Sequence, residues 1–462
     1  MTMRQHLHRT ALAASFAALV AAGVSVGPWP AAATPVISKD AVLPVGSELN
    51  EELLDQPTEI FGFEIAGGKR SYLFNFGDML FSSPAIFGGP ARDAGMSCNS
   101  CHQAGAGNAK LFVPGLSKKP GTFDTSGALF NAKADNGVFD PVTPPSLRGA
   151  KHLAPYGHDG RIASLREFIR NVVVNEFAGA EPSGQVLDAL VTYVNEISFL
   201  PNPKLGPGGR LAKEASDAAR RGEVLFNKPF SSNATLSCAG CHQPDAAFVD
   251  RKVHDIGSGG MFKTKTLLNA KFNAPYFHDG RYDSFGEVVG HFDRQYNLGL
   301  AENERADLVA YLEAVGDAAQ PYTRNTVQAE IDELADFVSV LDTAIPARDR
   351  EVIALTVDSV GGEWRELGEK FPGRTDTSVN GGLQERLKAR RAVRDLVLTL
   401  RRVAMAAASD DFDSAARIYA EYKQQVGAAS AQIKLAEAWS LFNPAVHQAH
   451  FAALRQLAKL AQ

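Results

Sequence analysis

Cysteine and tryptophan are scarce in this chain, and charge of the two signs is nearly balanced. Its 462 residues hold four cysteines and three tryptophans, and the formal net charge is −5 at pH 7. That mildly acidic balance argues against a nucleic-acid partner, because phosphate backbones are held by clustered Lys and Arg. After the first 33 residues no run is long and apolar enough to span a bilayer, so no transmembrane anchor is expected. No phosphate loop, dinucleotide fingerprint or serine–histidine–aspartate order is present, which removes the common nucleotide-dependent and serine-hydrolase chemistries. Hydrophobic residues make up 45% of the sequence, an ordinary share for a globular protein, and the length allows about three domains.

All four cysteines fall in two copies of one pattern, Cys98-Asn99-Ser100-Cys101-His102 and Cys238-Ala239-Gly240-Cys241-His242. Two thiols three residues apart can add across the two vinyl groups of one porphyrin, and the histidine that follows then lies under the iron as a ligand. A lone Cys-x-x-Cys would also suit a redox dithiol, half of a zinc site or a disulfide. The adjoining histidine, present twice, favours two covalently bound haem c groups, with His102 and His242 as proximal iron ligands.

Residues 1–33 carry Arg4 and Arg9, an apolar run from Thr10 to Val26 and the small residues Ala31-Ala32-Ala33, the order of a cleaved secretory signal. Export agrees with haem c attachment outside the cytoplasmic membrane and points to a periplasmic location. Residues 34–70 are rich in turn formers and read as an extended lead-in. Two stretches then repeat the same signals, a first domain over 71–205 and a second over 206–322. Each opens on an apolar turn, Gly77 to Phe81 or Gly222 to Phe226, and reaches its cysteine motif. Each continues through Ala154-Pro155-Tyr156-Gly157-His158-Asp159-Gly160-Arg161 or Ala274-Pro275-Tyr276-Phe277-His278-Asp279-Gly280-Arg281, and closes on an amphipathic helix, Val186 to Ile197 or Ala306 to Val315. Residues 323–462 contain no Cys and show apolar positions at helical spacing, for example Leu334, Phe337, Val338 and Leu341. The expected architecture is therefore all-α: two tandem cytochrome c-type haem domains followed by a C-terminal helical bundle whose role the sequence leaves open.

With both repeats in view, the chain resembles the bacterial dihaem cytochrome c peroxidase family, including the branch that matures the cofactor of methylamine dehydrogenase. The carriers over about residues 72–320 are the Gly-x-x-Leu-Phe lead, the Ser-Cys-x-x-Cys-His motifs and Pro-Tyr-Phe-His-Asp-Gly-Arg. The resemblance implies that His242 holds an electron-transfer iron and His102 a peroxidatic iron. It implies hydrogen peroxide as oxidant and a small donor protein, a cytochrome c or a cupredoxin, as partner. It places a proton-handling glutamate near Glu176. The chain also departs from the family. The axial Met or Tyr of the second domain would fall at Phe292, which cannot ligate, leaving His291 one residue earlier as the nearest candidate. The inter-haem tryptophan is absent, and His158 stands before Asp-Gly-Arg instead, so a catalytic or relay role falls to His158.

His158 and His278 share one place in the duplication, as distal ligands or as hydrogen-bond donors beside the haem edges. Arg161 and Arg281 are candidates for pairing with haem propionates, with Asp159 and Asp279 forming the adjoining turns. Met261 and His254 could reach the second iron, although ordinary packing is the better reading of both. His447 and His450 read as surface histidines rather than half a metal site. The basic run from Arg386 to Arg402 reads as a solvated helix face, with docking of an anionic partner or of membrane headgroups as the alternative. The leading function is a dihaem peroxidase-like oxidoreductase. The alternatives are a non-catalytic electron-transfer dihaem cytochrome, or a high-valent haem oxidase acting on a protein or organic substrate.

Overall fold

The computed structural model describes residues 43–460 apart from 50, 52, 54 and 377. The expected signal, 1–33, lies outside the described residues. The described chain is mostly helical, with one short antiparallel strand pair. In chain order, the elements that place the site are α1 (Tyr72–Ser82), α2 (Cys98–Cys101), α3 (Leu165–Asn171), α4 (Gly184–Glu196), α5 (Asp217–Asn227) and α6 (Cys238–Cys241). After them come β1 (Val253–Asp255), β2 (Met261–Lys263), α7 (Phe285–Gln295) and α8 (Glu302–Val315). Five further helices follow: α9 (Val327–Val338), α10 (Arg350–Glu369), α11 (Leu383–Ala408), α12 (Phe412–Leu435) and α13 (Pro444–Leu460). Among the described residues, no helix is long and apolar enough to cross a membrane.

The sequence duplication is visible as one helix crossing built twice. In the first repeat α1 packs on α4, and in the second α5 packs on α8. Each crossing depends on a glycine. A Cβ on Gly77 would sit 2.1 Å from the Ala189 carbonyl oxygen, and one on Gly222 would sit 2.0 Å from the Asp307 carbonyl oxygen. Helix axes can approach this closely only where one partner has no side chain. The caps repeat too. Ser71 Oγ accepts from Phe74 N at the start of α1, and Ser216 Oγ from Ala219 N at the start of α5. At α3 and α7, Ser164 and Ser284 accept from Glu167 N and Glu287 N. These hydroxyls satisfy amide donors that have no partner within the helix.

The cores are distributed unexpectedly. The second repeat has its own core, including Phe226, Phe248, Phe285 and Tyr311. The first repeat does not close on itself: Phe74, Leu80 and Tyr193 belong to the same continuous core as Phe337, Trp364 and Leu396. Thus α9 and α10 pack on α1, although the second repeat separates them in sequence. Asn75 Nδ2 donates to Ser339 Oγ at 3.4 Å, and Arg70 bridges Asp78 at 2.9 Å and Asp336 at 3.5 Å. Residues 43–70 are more than an extended lead-in, because they strap both repeats. Phe61 pairs with Ile197, Gln56 Nε2 donates to Phe272 O at 3.3 Å, and Thr58 N donates to Pro321 O at 3.3 Å.

The basic run on α11 is a solvated face at Lys388, Arg390, Arg391, Arg394, Arg401 and Arg402, and Arg386 is the exception. Arg386 is buried and donates to the carbonyls of Pro372 and Gly381, and Arg390 donates to the carbonyls of Gly368 and Phe371. Both therefore satisfy carbonyls at and beyond the end of α10, a positional role for cations at a helix C-terminus. Met405 is exposed on α11.

Candidate functional site

Each cysteine motif forms a single helical turn. Ser237 Oγ caps α6 by accepting from Gly240 N at 3.0 Å, and Ser100 Oγ accepts from Ser97 N at 3.1 Å at the start of α2. One turn brings the two thiols of a motif to the same side and sets the histidine at the helix end. All four thiols are free. Burial pushes Cys98, Cys101 and Cys238 up to about 12, so they stand as neutral thiols.

The two histidines are held alike. His102 Nδ1 lies 2.9 Å from Pro145 O, and His242 Nδ1 lies 3.2 Å from Phe248 O. A carbonyl can only accept, so Nδ1 carries the proton and Nε2 keeps its lone pair. Burial lowers both imidazoles, His102 to about 4, which keeps them neutral. A neutral imidazole with its far nitrogen fixed by a carbonyl and its near nitrogen free is the form that binds a metal. The residues present thus fit a haem at each motif: two free thiols, an oriented imidazole and, for the second motif, room. That room is a cavity of about 360 Å³ against Cys238, Cys241 and His242, walled by side chains such as Leu267, Phe285, Phe292 and Leu312. It continues to the first repeat, where Thr143, Pro145, Tyr156 and His158 form its far wall.

The seam between the repeats converges on Thr143. Its amide donates to His278 O at 2.7 Å, its hydroxyl to Phe277 O at 3.0 Å, and its carbonyl lies 3.0 Å from His158 Nε2. His158 is held well below the ordinary imidazole range by burial, reinforced by the Lys265 ammonium. His278 stacks on Phe262 at 3.6 Å between ring centroids. Both histidines therefore lie at the seam and line the cavity.

Glu176 ends a π-helical turn, Val172–Glu176, that continues α3. Such turns recur at functional sites because they redirect one side chain out of the helical ladder. Its Oε1 accepts from Asn171 Nδ2 at 3.1 Å and faces the Arg161 guanidinium at 3.5 Å. Burial raises its carboxyl above the ordinary range against the opposing pull of Arg161, and its charge reaches Cys101. The corresponding turn of the second repeat carries Gln295 and Tyr296, neither of them a carboxylate.

Other candidates are committed elsewhere. His291 is buried with Nε2 2.7 Å from Ile256 O and Nδ1 3.0 Å from the Tyr282 hydroxyl. It is Phe292, not His291, that lines the cavity. With both nitrogens engaged, His291 has none to offer an iron here. Arg281 grips Asp279 through Nε at 2.9 Å and reaches Ser258 O at 2.6 Å, and Arg161 divides itself between Asp159 and Glu176. Met261 is exposed on β2. His254 Nε2 is bound to Asp250 at 2.6 Å. With Cys241 these two bring three potential ligand atoms within 4.8 Å, a zinc-like grouping that a thioether at Cys241 would remove. His450 pairs with Asp376 at 2.6 Å.

Sequence reasoning passed over Thr143 and the two lysines beside it. Lys263 Nζ donates to Leu153 O at 2.7 Å and to Pro155 O, and Lys265 Nζ donates to Thr143 Oγ1 at 3.3 Å. Burial pulls both ammonium groups down to about 8. The available signal was their spacing, since residues two apart in an extended segment leave the same side of the chain.

Residues 216–343 match the family model for di-haem cytochrome c peroxidase. The chain is 35% identical over 302 residues to cytochrome-c peroxidase IdrP1 of Pseudomonas sp. (strain SCT), covering 48% of this chain and 76% of that protein. It is 22% identical over 307 residues to hydrazine synthase subunit gamma of Kuenenia stuttgartiensis, covering 53% of this chain and 78% of the relative. It is 29% identical over 175 residues to methylamine utilization protein MauG of Methylorubrum extorquens, covering 30% of this chain and 47% of that protein.

Proposed function

The chain belongs to the di-haem cytochrome c peroxidase family, and on that premise we propose that this oxidoreductase reduces hydrogen peroxide with electrons from a small external redox protein. Two tandem domains, 71–205 and 206–322, would each hold one haem c, through Cys98, Cys101 and His102 and through Cys238, Cys241 and His242. When bound, haem iron supplies the electron-transfer and oxygen-bond-cleaving chemistry. The protein sets its ligation, burial and proton supply.

The observation that carries this reading is the asymmetry between the repeats. The first repeat ends the turn after α3 on a largely buried carboxylate, Glu176, whose charge reaches Cys101, and the matching place 120 residues later is Tyr296. Reduction of one peroxide to two waters consumes two electrons and two protons, so one site needs a group that accepts a proton from one oxygen and returns it to the other. A carboxyl raised by burial and steadied by Asn171 and Arg161 is suited to that exchange. On this reading the first repeat would handle peroxide and the second would take in electrons. His158, on the seam, would orient the path between them through its bond to Thr143. The signal at 1–33 would deliver the protein to the periplasm, where haem c is attached.

The test has two arms. Intact mass of exported protein should show two added macrocycles. Purified holoprotein should turn over hydrogen peroxide against a reduced small cytochrome or cupredoxin, and Glu176→Gln should slow that turnover about 100-fold or more while both haems stay attached. Two haems without turnover, and with neither iron admitting an added ligand, would instead make this a plain electron carrier.

A further inference from the structure

Lys263 and Lys265 line the cavity, and among the described residues neither forms an ion pair with a carboxylate. Their hydrogen-bond acceptors, the carbonyls of Leu153 and Pro155 and the hydroxyl of Thr143, are neutral and belong to the first repeat. Asp279, whose charge reaches Lys265, has both its oxygens engaged by Arg281. Lys263 is half-buried and Lys265 exposed, and an ammonium has three N–H groups. Lys263 uses two of them and Lys265 one, so donors remain on both.

The duplication sharpens the point. Lys263 and Lys265 occupy the places held by Thr143 and Pro145 in the first repeat, 120 residues earlier. The backbone role is kept: Pro145 O holds His102, and the Lys265 backbone lies against His242. The side chains are not kept, because the first repeat is neutral at both places and the second carries two cations. Packing of this segment therefore does not require lysine.

We propose that Lys263 and Lys265 bind the propionate carboxylates of the haem attached at Cys238 and Cys241. This rests on the two-haem reading above. Thioethers form at the vinyl edge of a porphyrin, and its carboxylates project from the opposite edge. Here the cysteines lie in α6 and the lysines on the wall shared with the first repeat. Arg161 and Arg281, the cations singled out from sequence, are already taken by Asp159, Glu176 and Asp279. The pairing does two things. It holds the second repeat's cofactor against Thr143, Leu153 and Pro155, fixing the seam that electrons must cross. It also places positive charge beside an iron whose oxidised form is the more positive, which favours the reduced state.

The test uses the full holoprotein with Lys263→Gln, Lys265→Gln and Lys265→Arg. Potentiometric titration followed optically should show one midpoint moving to lower potential in each glutamine variant and staying near wild type in the arginine variant. The propionate bending bands of the resonance Raman spectrum should shift in the same glutamine variants. If both midpoints and the bands are unchanged in both glutamine variants, or if arginine behaves as glutamine does, the assignment is wrong. Should one glutamine variant fail to mature, the other and the Lys265→Arg spectra still decide. Absence of covalent haem from the wild-type mass would sink the two-haem reading itself, a separate outcome read before any substitution is made.

Discussion

Gly77 lies against Ala189 so tightly that a Cβ would come within 2.1 Å of the Ala189 carbonyl oxygen, and Gly222 stands in the same relation to Asp307. Both contacts are to backbone, which cannot rotate away. Substituting either glycine by alanine should therefore cost about 1–3 kcal/mol or more through overpacking, read as a lower thermal midpoint. Because the second repeat has a separate core, Gly222→Ala should destabilise that repeat while leaving the first intact. Equal loss of protection in both repeats by hydrogen exchange would contradict the two-core description.

Trp364 is buried and donates from Nε1 to the Tyr422 hydroxyl at 2.8 Å, in the core shared by the C-terminal helices and the first repeat. Trp364→Ala should cost about 3–5 kcal/mol. The loss should be felt around Cys98 and His102 and not around Cys238 and His242. Hydrogen exchange that slackens only in residues 323–460 would show that the shared core is not cooperative.

Arg386 and Arg391 belong to one basic run but should behave differently. Arg386 is buried with two carbonyl partners, so Arg386→Ala should destabilise by about 1–3 kcal/mol. Arg391 is exposed, and Arg391→Ala should stay within about 0.5 kcal/mol of wild type. Denaturant midpoints of the two variants check this, and similar values would restore the reading of a uniformly solvated face.

Asp78 sits at the junction of α1 with the C-terminal helices, and burial raises its carboxyl to about 7 despite the Arg70 partner. A carboxyl raised on folding binds its proton more tightly in the native state. Its contribution is therefore fully present below the unfolded value near 4 and is lost as pH rises through about 7. Stability should fall between pH 4 and pH 8 by no more than ~4 kcal/mol from this group, and Asp78→Asn should flatten that slope. Urea midpoints at four or five pH values measure it; a slope equally steep in the variant would shift the cause to other carboxyls.

Much of the site could be read from short-range pattern. Cys-x-x-Cys-His specifies its chemistry within five residues, because one helical turn is enough to bring thiols and imidazole together. The serine caps and the 120-residue offset are likewise local, and so the helices end close to where their spacing and their Gly and Pro stops suggested. Glu176 was within reach only through the family resemblance, and nothing in the letters signalled its π turn or its Asn171 partner.

What the sequence determined by itself was composition, repetition and covalent opportunity: four thiols, two imidazoles, two copies of one helix crossing, and a helical tail. Tertiary structure alone decided which cations were free and which cores were shared. Arg281 and Lys265 are both basic residues near one turn, but folding supplied Asp279 to the first and only a hydroxyl to the second. The tail follows the second repeat along the chain, yet its apolar faces are buried on the first. Burial and pairing depend on what arrives from distant positions, and no local pattern records that.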